Sequence, residues 1–163
     1  MRETNFENTG WIVSRSWMLA LEEVAADFHD AKTKRFLTQA YEHAVEAWIG
    51  IWANEYDMPI PRAKTIREAI ENYIEFGVKV GLFRDASQFE ISELGPNHVQ
   101  IEIHTASFYH AKPTDAKKLL GVMSRSRIGC FAAAVKMLAG ITCDWEITEI
   151  DAEQGCKGYV ERI

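Results

Sequence analysis

Three cysteines, Cys130, Cys143 and Cys156, and five histidines carry most of the chain's capacity for chemistry. A thiol acts as a nucleophile or metal ligand through its thiolate, which a helix N-terminus or a nearby cation favours and apolar burial disfavours. Cys130 opens the small-residue run "CFAAAVKMLAG", read as a helix stopped by Gly140. There the positive end of the helix dipole would lower the thiol's pKa if the sulfur were exposed. The partner for nucleophilic catalysis is His110, placed on a predicted loop after Phe108 and Tyr109. Cys143 falls at a strand entrance, and Cys156 shares strand parity with Gly158 and Val160, which directs it to the apolar face. Free cysteine is among the most buried residue types, so structural burial is the competing reading for each thiol. The other four histidines are dispersed; among them His29 closes the first predicted helix, His43 sits between apolar helix positions, and His104 lies on the wet face of a strand.

A soft metal such as zinc needs several thiolates or imidazoles brought together. Cys130, Glu149 and Cys156 form the candidate set, joined by Cys143 or a histidine, if the Cys130 helix packs over the last hairpin. No cofactor is expected otherwise. Flat apolar ligands call for a different wall. Trp48 and Trp52 lie one helical turn apart on one face, with Tyr41 nearby, and can serve either as core or as the side of a pocket. Phe108, Tyr109 and His110 would add aromatic surface with polar tips that orient a ligand. No Walker or dinucleotide glycine loop, CxxC, HExxH or GxSxG elbow is present, which removes the easiest enzyme classes.

Composition narrows the partners. The chain has 163 residues, 47% of them hydrophobic, and a formal net charge of -6. That length suits one domain, residues 1–163, and the acidic balance argues against a nucleic-acid footprint. The short basic groups Arg62, Lys64, Arg67 and Arg125, Arg127 read as solvated helix starts. "MRETNFENTGW" lacks the apolar stretch of a signal peptide, and "CFAAAVKMLAGI" falls far short of the roughly 20 residues that span a bilayer. A cytoplasmic protein with free thiols is expected, with no membrane partner.

The elements that must position these groups follow from periodicity. Residues 1–80 read as mainly helical, with apolar stripes at Trp17, Leu21, Val24, Phe28 and at Phe36, Ala40, Ala44, Trp48, Trp52. Pro59 and Pro61 break the second helix, and Thr65 with Glu68 matches a capping box for a third, with Ile66, Ile70, Tyr73 and Ile74 inward. Residues 81–163 read as hairpin, helix, hairpin. "FEISEL" and "HVQIEIHT" flank the turn "GPN", "PTDAKKLL" starts a helical section, and strands near 144–150 and 156–162 close the chain. Strands adjacent in sequence usually pair antiparallel, and helices must cover the apolar face, so an α+β fold is expected.

From about residue 75 onward, "ISELGPNHVQIEIHTASF", Cys130 with Gly140, and Glu149 with Cys156 resemble the vinyl-4-reductase-like domain. That domain occurs in archaeal hydrocarbon-binding proteins, in a bacteriochlorophyll synthesis protein and in the sensory part of some aromatic-responsive regulators. In its metal-binding members a cysteine follows the acidic residue by three positions, where this chain has Ala152. Similar closing segments occur in the aminothiazoline-carboxylate hydrolase-like family. The resemblance implies a four-stranded antiparallel sheet covered by helices, a homodimer, and a small-molecule-binding or sensory domain enclosing an apolar or aromatic ligand. Its alternatives are a hydrolase acting on a small cyclic substrate through a cysteine nucleophile, and a non-catalytic assembly subunit like the related trafficking-complex proteins.

Overall fold

The alternation at Val99, Ile101 and Ile103 is realised as a central strand with all three side chains buried. The computed structural model describes residues 17–18, 20–28, 32–104, 116–151 and 155–163. The elements run α1 (residues 20–28), α2 (Thr33–Glu55), α3 (Ile66–Lys79), β1 (Phe89–Gly95), β2 (His98–His104), α4 (Ala116–Ala139), β3 (Cys143–Asp151) and β4 (Gly155–Arg162). The four strands form one antiparallel sheet in the order β1-β2-β4-β3. This is the α+β architecture that the sequence implies, helices first and strands in the second half.

The chain divides into two compact units, Met1–Leu37 and Thr38–Ile163. In the first, the stripe Trp17, Leu21, Val24 and Phe28 is exposed, while Glu22 and Ala25 are buried. Helical spacing places apolar groups on one side, but it does not say which side the chain covers. Thr33 donates through its hydroxyl to the Ala25 carbonyl at 3.3 Å, tying α1 to the start of α2.

The second unit holds the sheet and its helical cover. The inward stripe of α2 is Tyr41, Val45 and Ile49, one position on from the expected Ala40, Ala44 and Trp48. Both rows repeat every four residues, and the β-branched and phenolic row wins the interior. Trp48 and Trp52 are left partly exposed beside it. The helix stops at Glu55 ahead of the prolines, because Asp57 adopts φ 52°, a left-handed conformation that aspartate tolerates better than most residues. On α3 the capping box is half realised. The Glu68 amide donates to the Thr65 hydroxyl at 3.1 Å, but the Glu68 carboxylate accepts from the Lys64 amide at 2.7 Å. Ile66, Ile70, Tyr73 and Ile74 point inward as the spacing predicts.

The two helical stretches expected on either side of residue 125 are one helix, α4. It crosses the sheet at close range. Gly129 faces the rings of Tyr41 and Trp145, and Ile128 lies over Gly158. A Cβ at Gly158 would sit 2.5 Å from the Glu146 carbonyl oxygen and 2.9 Å from Ile128 Cγ1. The Trp145 indole donates to the Thr38 hydroxyl at 3.0 Å, joining β3 to α2. The other face of the sheet is polar: Lys157 pairs with Glu102 at 3.3 Å, and the Tyr159 hydroxyl donates to Glu146 at 2.8 Å. Among the described residues no helix is long and apolar enough to cross a membrane.

Gly158→Ala is expected to destabilise the fold by about 1–3 kcal/mol, the usual cost of overpacking, with a loss of about 2–10 °C in Tm. Urea denaturation of the variant checks this. Wild-type stability would show that α4 does not rest on the sheet as described.

Candidate functional site

Aromatic side chains from α3, the following turn, β1 and α4 meet over the sheet. Tyr73 packs edge-to-face on Phe83 and Phe131, with centroids at 5.8 and 5.7 Å. Phe89 makes the same kind of contact with Phe83 at 4.8 Å and Phe131 at 5.5 Å. The turn can bring Phe83 onto α3 because Gly77 has no Cβ where that ring lies. One cation joins the cluster: the Arg127 guanidinium stands 4.9 Å from the centre of the Phe83 ring, a cation–π arrangement. Sequence reading took Arg127 for a solvated helix start. In the structure it belongs to the middle of α4, half-buried.

The same continuity of α4 removes the basis for an activated Cys130. The residue lies in the second half of the helix, beyond the reach of its N-terminal dipole, which fades within the first turn. Desolvation pushes its thiol up to about 12, with Arg127 opposing. The residue keeps some surface exposure while its sulfur is shielded. Burial also raises Cys143 to about 11 against the pull of Arg162. Cys156 is raised by burial, opposed by a hydrogen bond with Ser124 and by Arg127, and Glu102 adds to the rise. Tyr73, 2% exposed, is held well above its ordinary value by burial, then by Cys130, with Arg127 again opposing. At neutral pH all four groups are protonated. Cys130, Cys156 and Tyr73 share the influence of Arg127, whereas Cys143 feels Arg162.

Cys130, Glu149 and Cys156 do not converge. Cys156 faces the helices, whereas Glu149 stands across the ladder from Lys157 on the polar face, 3.8 Å from its ammonium. Strict alternation from Trp145 would have turned Glu149 inward. A bulge between Ile147 and Glu149 adds one residue and turns it out. Among the described residues, no three His, Cys, Asp or Glu side chains are grouped to hold a metal ion. Phe108, Tyr109, His110 and His29 lie outside the described residues.

Trp48 and Trp52 do not share one wall. Trp48 packs edge-on against Tyr73 at 5.3 Å, while Trp52 rests on Tyr56 at 4.4 Å. On the helical side, Ile49, Pro61, Tyr73, Phe76 and Leu138 line an apolar recess too narrow for a water molecule. The Ala63 amide donates to the Leu138 carbonyl at 3.0 Å, which fastens the proline segment over the end of α4. Tyr73 is thus shared between the recess and the aromatic cluster. The sequence marked it only as an inward position of α3, and nothing in its spacing tied it to Phe83 or Arg127.

No family model and no curated protein matches the chain. Among solved structures, it is similar to a trafficking protein particle complex subunit 3 from Naegleria fowleri covalently bound to palmitic acid. That match has 9% identity over 93% of this chain and 96% of that one, with a TM-score of 0.48. It is also similar to a protein of the H-NOX family studied for heme distortion, at 8% identity over 84% of this chain and 65% of that one, with a TM-score of 0.46.

Because an unfolded thiol titrates near 9.0 and the folded Cys130 near 12, its contribution to stability is complete below about pH 9 and drains away as pH rises toward 12. Stability is expected to fall by up to about 1.4 kcal/mol per pH unit for each such thiol, and Tyr73 adds to the fall at the upper end. Urea denaturation between pH 8 and 11 measures the slope. Cys130→Ala should flatten it, and a curve unchanged by that substitution would mean the thiol is not desolvated.

Proposed function

We propose that this protein binds a small apolar or aromatic molecule and does not transform it. The observation that carries the reading is the apolar recess of Ile49, Pro61, Tyr73, Phe76 and Leu138, backed by the aromatic cluster through their common member Tyr73. The protonated state of Cys130 supports binding over cysteine catalysis. The resemblance to vinyl-4-reductase-like domains points the same way. The recess is closed in this conformation, so a ligand must displace side chains to enter. Separating the edge contact of Trp48 with Tyr73 costs about 0.5–1.5 kcal/mol. Removing roughly 150 Å² of apolar ligand surface from water returns about 4 kcal/mol, so opening is within reach of a one-ring ligand.

An assembly-subunit reading has its own support. Ile51, Tyr56 and Ile60 expose apolar surface along and just beyond the end of α2, beside the half-buried Trp52.

One experiment separates the two. Native mass spectrometry of freshly purified protein is expected to show a bound apolar mass. Aromatic hydrocarbons at about 100 times their Kd should then stabilise by about 2.7 kcal/mol, or about 5–10 °C in Tm. Leu138→Phe, which puts a larger side chain where the recess would have to open, should abolish both effects. No bound mass and no shift in Tm with any hydrophobic compound would end the binding reading and leave assembly.

A further inference from the structure

The first unit turns its amphipathic helix inside out. Trp17 and the α1 residues Leu21, Val24 and Phe28 are 73%, 37%, 51% and 80% exposed, whereas Glu22 and Ala25 are buried. A helix of a globular protein ordinarily turns its apolar stripe to the core and its charges to water. A helix as short as α1 does not persist on its own propensity, so packing must hold it. The four side chains expose roughly 450 Å² per chain, judged from the 150–250 Å² of an aromatic side chain. Contiguous apolar surface of that extent marks an interaction site.

The pattern of the stripe identifies its occupant. Its spacing of four, three and four residues is the alternation of a coiled-coil seam, so the fitting partner is another helix. The sizes run large, small, small, large, symmetric about the midpoint between Glu22 and Glu23. We infer that two copies of this chain associate through an antiparallel pair of α1 helices. A two-fold axis at that midpoint sets Trp17 against Phe28 of the second copy and Leu21 against its Val24. Both contacts repeat across the axis, as an isologous interface requires. Charge favours the same orientation. Antiparallel pairing separates the two Asp27 carboxylates by about 13 Å along the axis at 1.5 Å per residue, beyond the Debye length of about 10 Å at 0.1 M salt. Parallel pairing would set them level. A bilayer surface fits less well, because residues 17–28 carry Glu22, Glu23 and Asp27 and no lysine or arginine, and interfacial helices draw on basic residues. The pair would bury roughly 900 Å² in all, the size of a weak, reversible contact and short of an obligate one. The inference does not depend on whether a ligand is bound.

The test is sedimentation equilibrium of the full chain across the micromolar range. A monomer–dimer equilibrium is expected, with a Kd of micromolar order. Phe28→Glu and Trp17→Lys should each weaken it roughly tenfold or more. Both positions are exposed, so the Tm of the monomer should stay unchanged. Mixing the two variants tests the orientation. Antiparallel pairing sets the introduced lysine against the introduced glutamate and returns one native pair of Trp17 with Phe28. Native mass spectrometry is then expected to show more heterodimer than either homodimer. Should either variant fail to fold, Leu21→Glu and Val24→Lys, the inner pair of the same seam, take their place. A chain that stays monomeric at every concentration overturns the inference and means that its own chain or a different partner covers the stripe. A dimer as strong in Phe28→Glu as in the wild type overturns it by moving the interface elsewhere. Mixed variants that form no heterodimer overturn the antiparallel pairing.

Discussion

The close seating of α4 on the sheet is the constraint from which the other features follow. Its small residues make the seating feasible: Gly129 admits the rings of Tyr41 and Trp145, and Gly158 on β4 admits Ile128. Side chains at these two points would lift the helix, and interiors packed as densely as crystals do not absorb such a displacement locally. With α4 down, Phe131 meets Tyr73 and Phe89 edge-to-face and Phe83 at a tilt. Each such contact contributes about 0.5–1.5 kcal/mol beyond its buried area. The aromatic cluster is a consequence of the helix height and not an independent feature.

The same seating decides the chemistry. Cys130 travels with α4 and Cys156 with β4, so both thiols end in low-dielectric surroundings where the neutral form is favoured. Arg127 opposes this at Cys130, Cys156 and Tyr73 alike, and at each of them burial is the larger effect. One cation shared among three desolvated groups cannot ionise them.

What was legible in the sequence was what periodicity controls. The alternation in β2, the parity of Cys156 with Val160, and the inward face of α3 all depend on local spacing, and each stands as read. Features set by a single inserted residue or by joining two segments were not legible. One unpaired residue in β3 reverses the side on which Glu149 appears, and no composition signal marks it. The fusion of "PTDAKKLL" and "RIGCFAAAVKMLAG" into one 24-residue helix moves Cys130 from a helix start to its second half and draws Arg127 from the surface to the cluster. In α2, two adjacent four-residue rows of apolar side chains compete, and a shift of one position exchanges Trp48 for Ile49 as the core residue. Long-range partners, not propensity, settle all three cases.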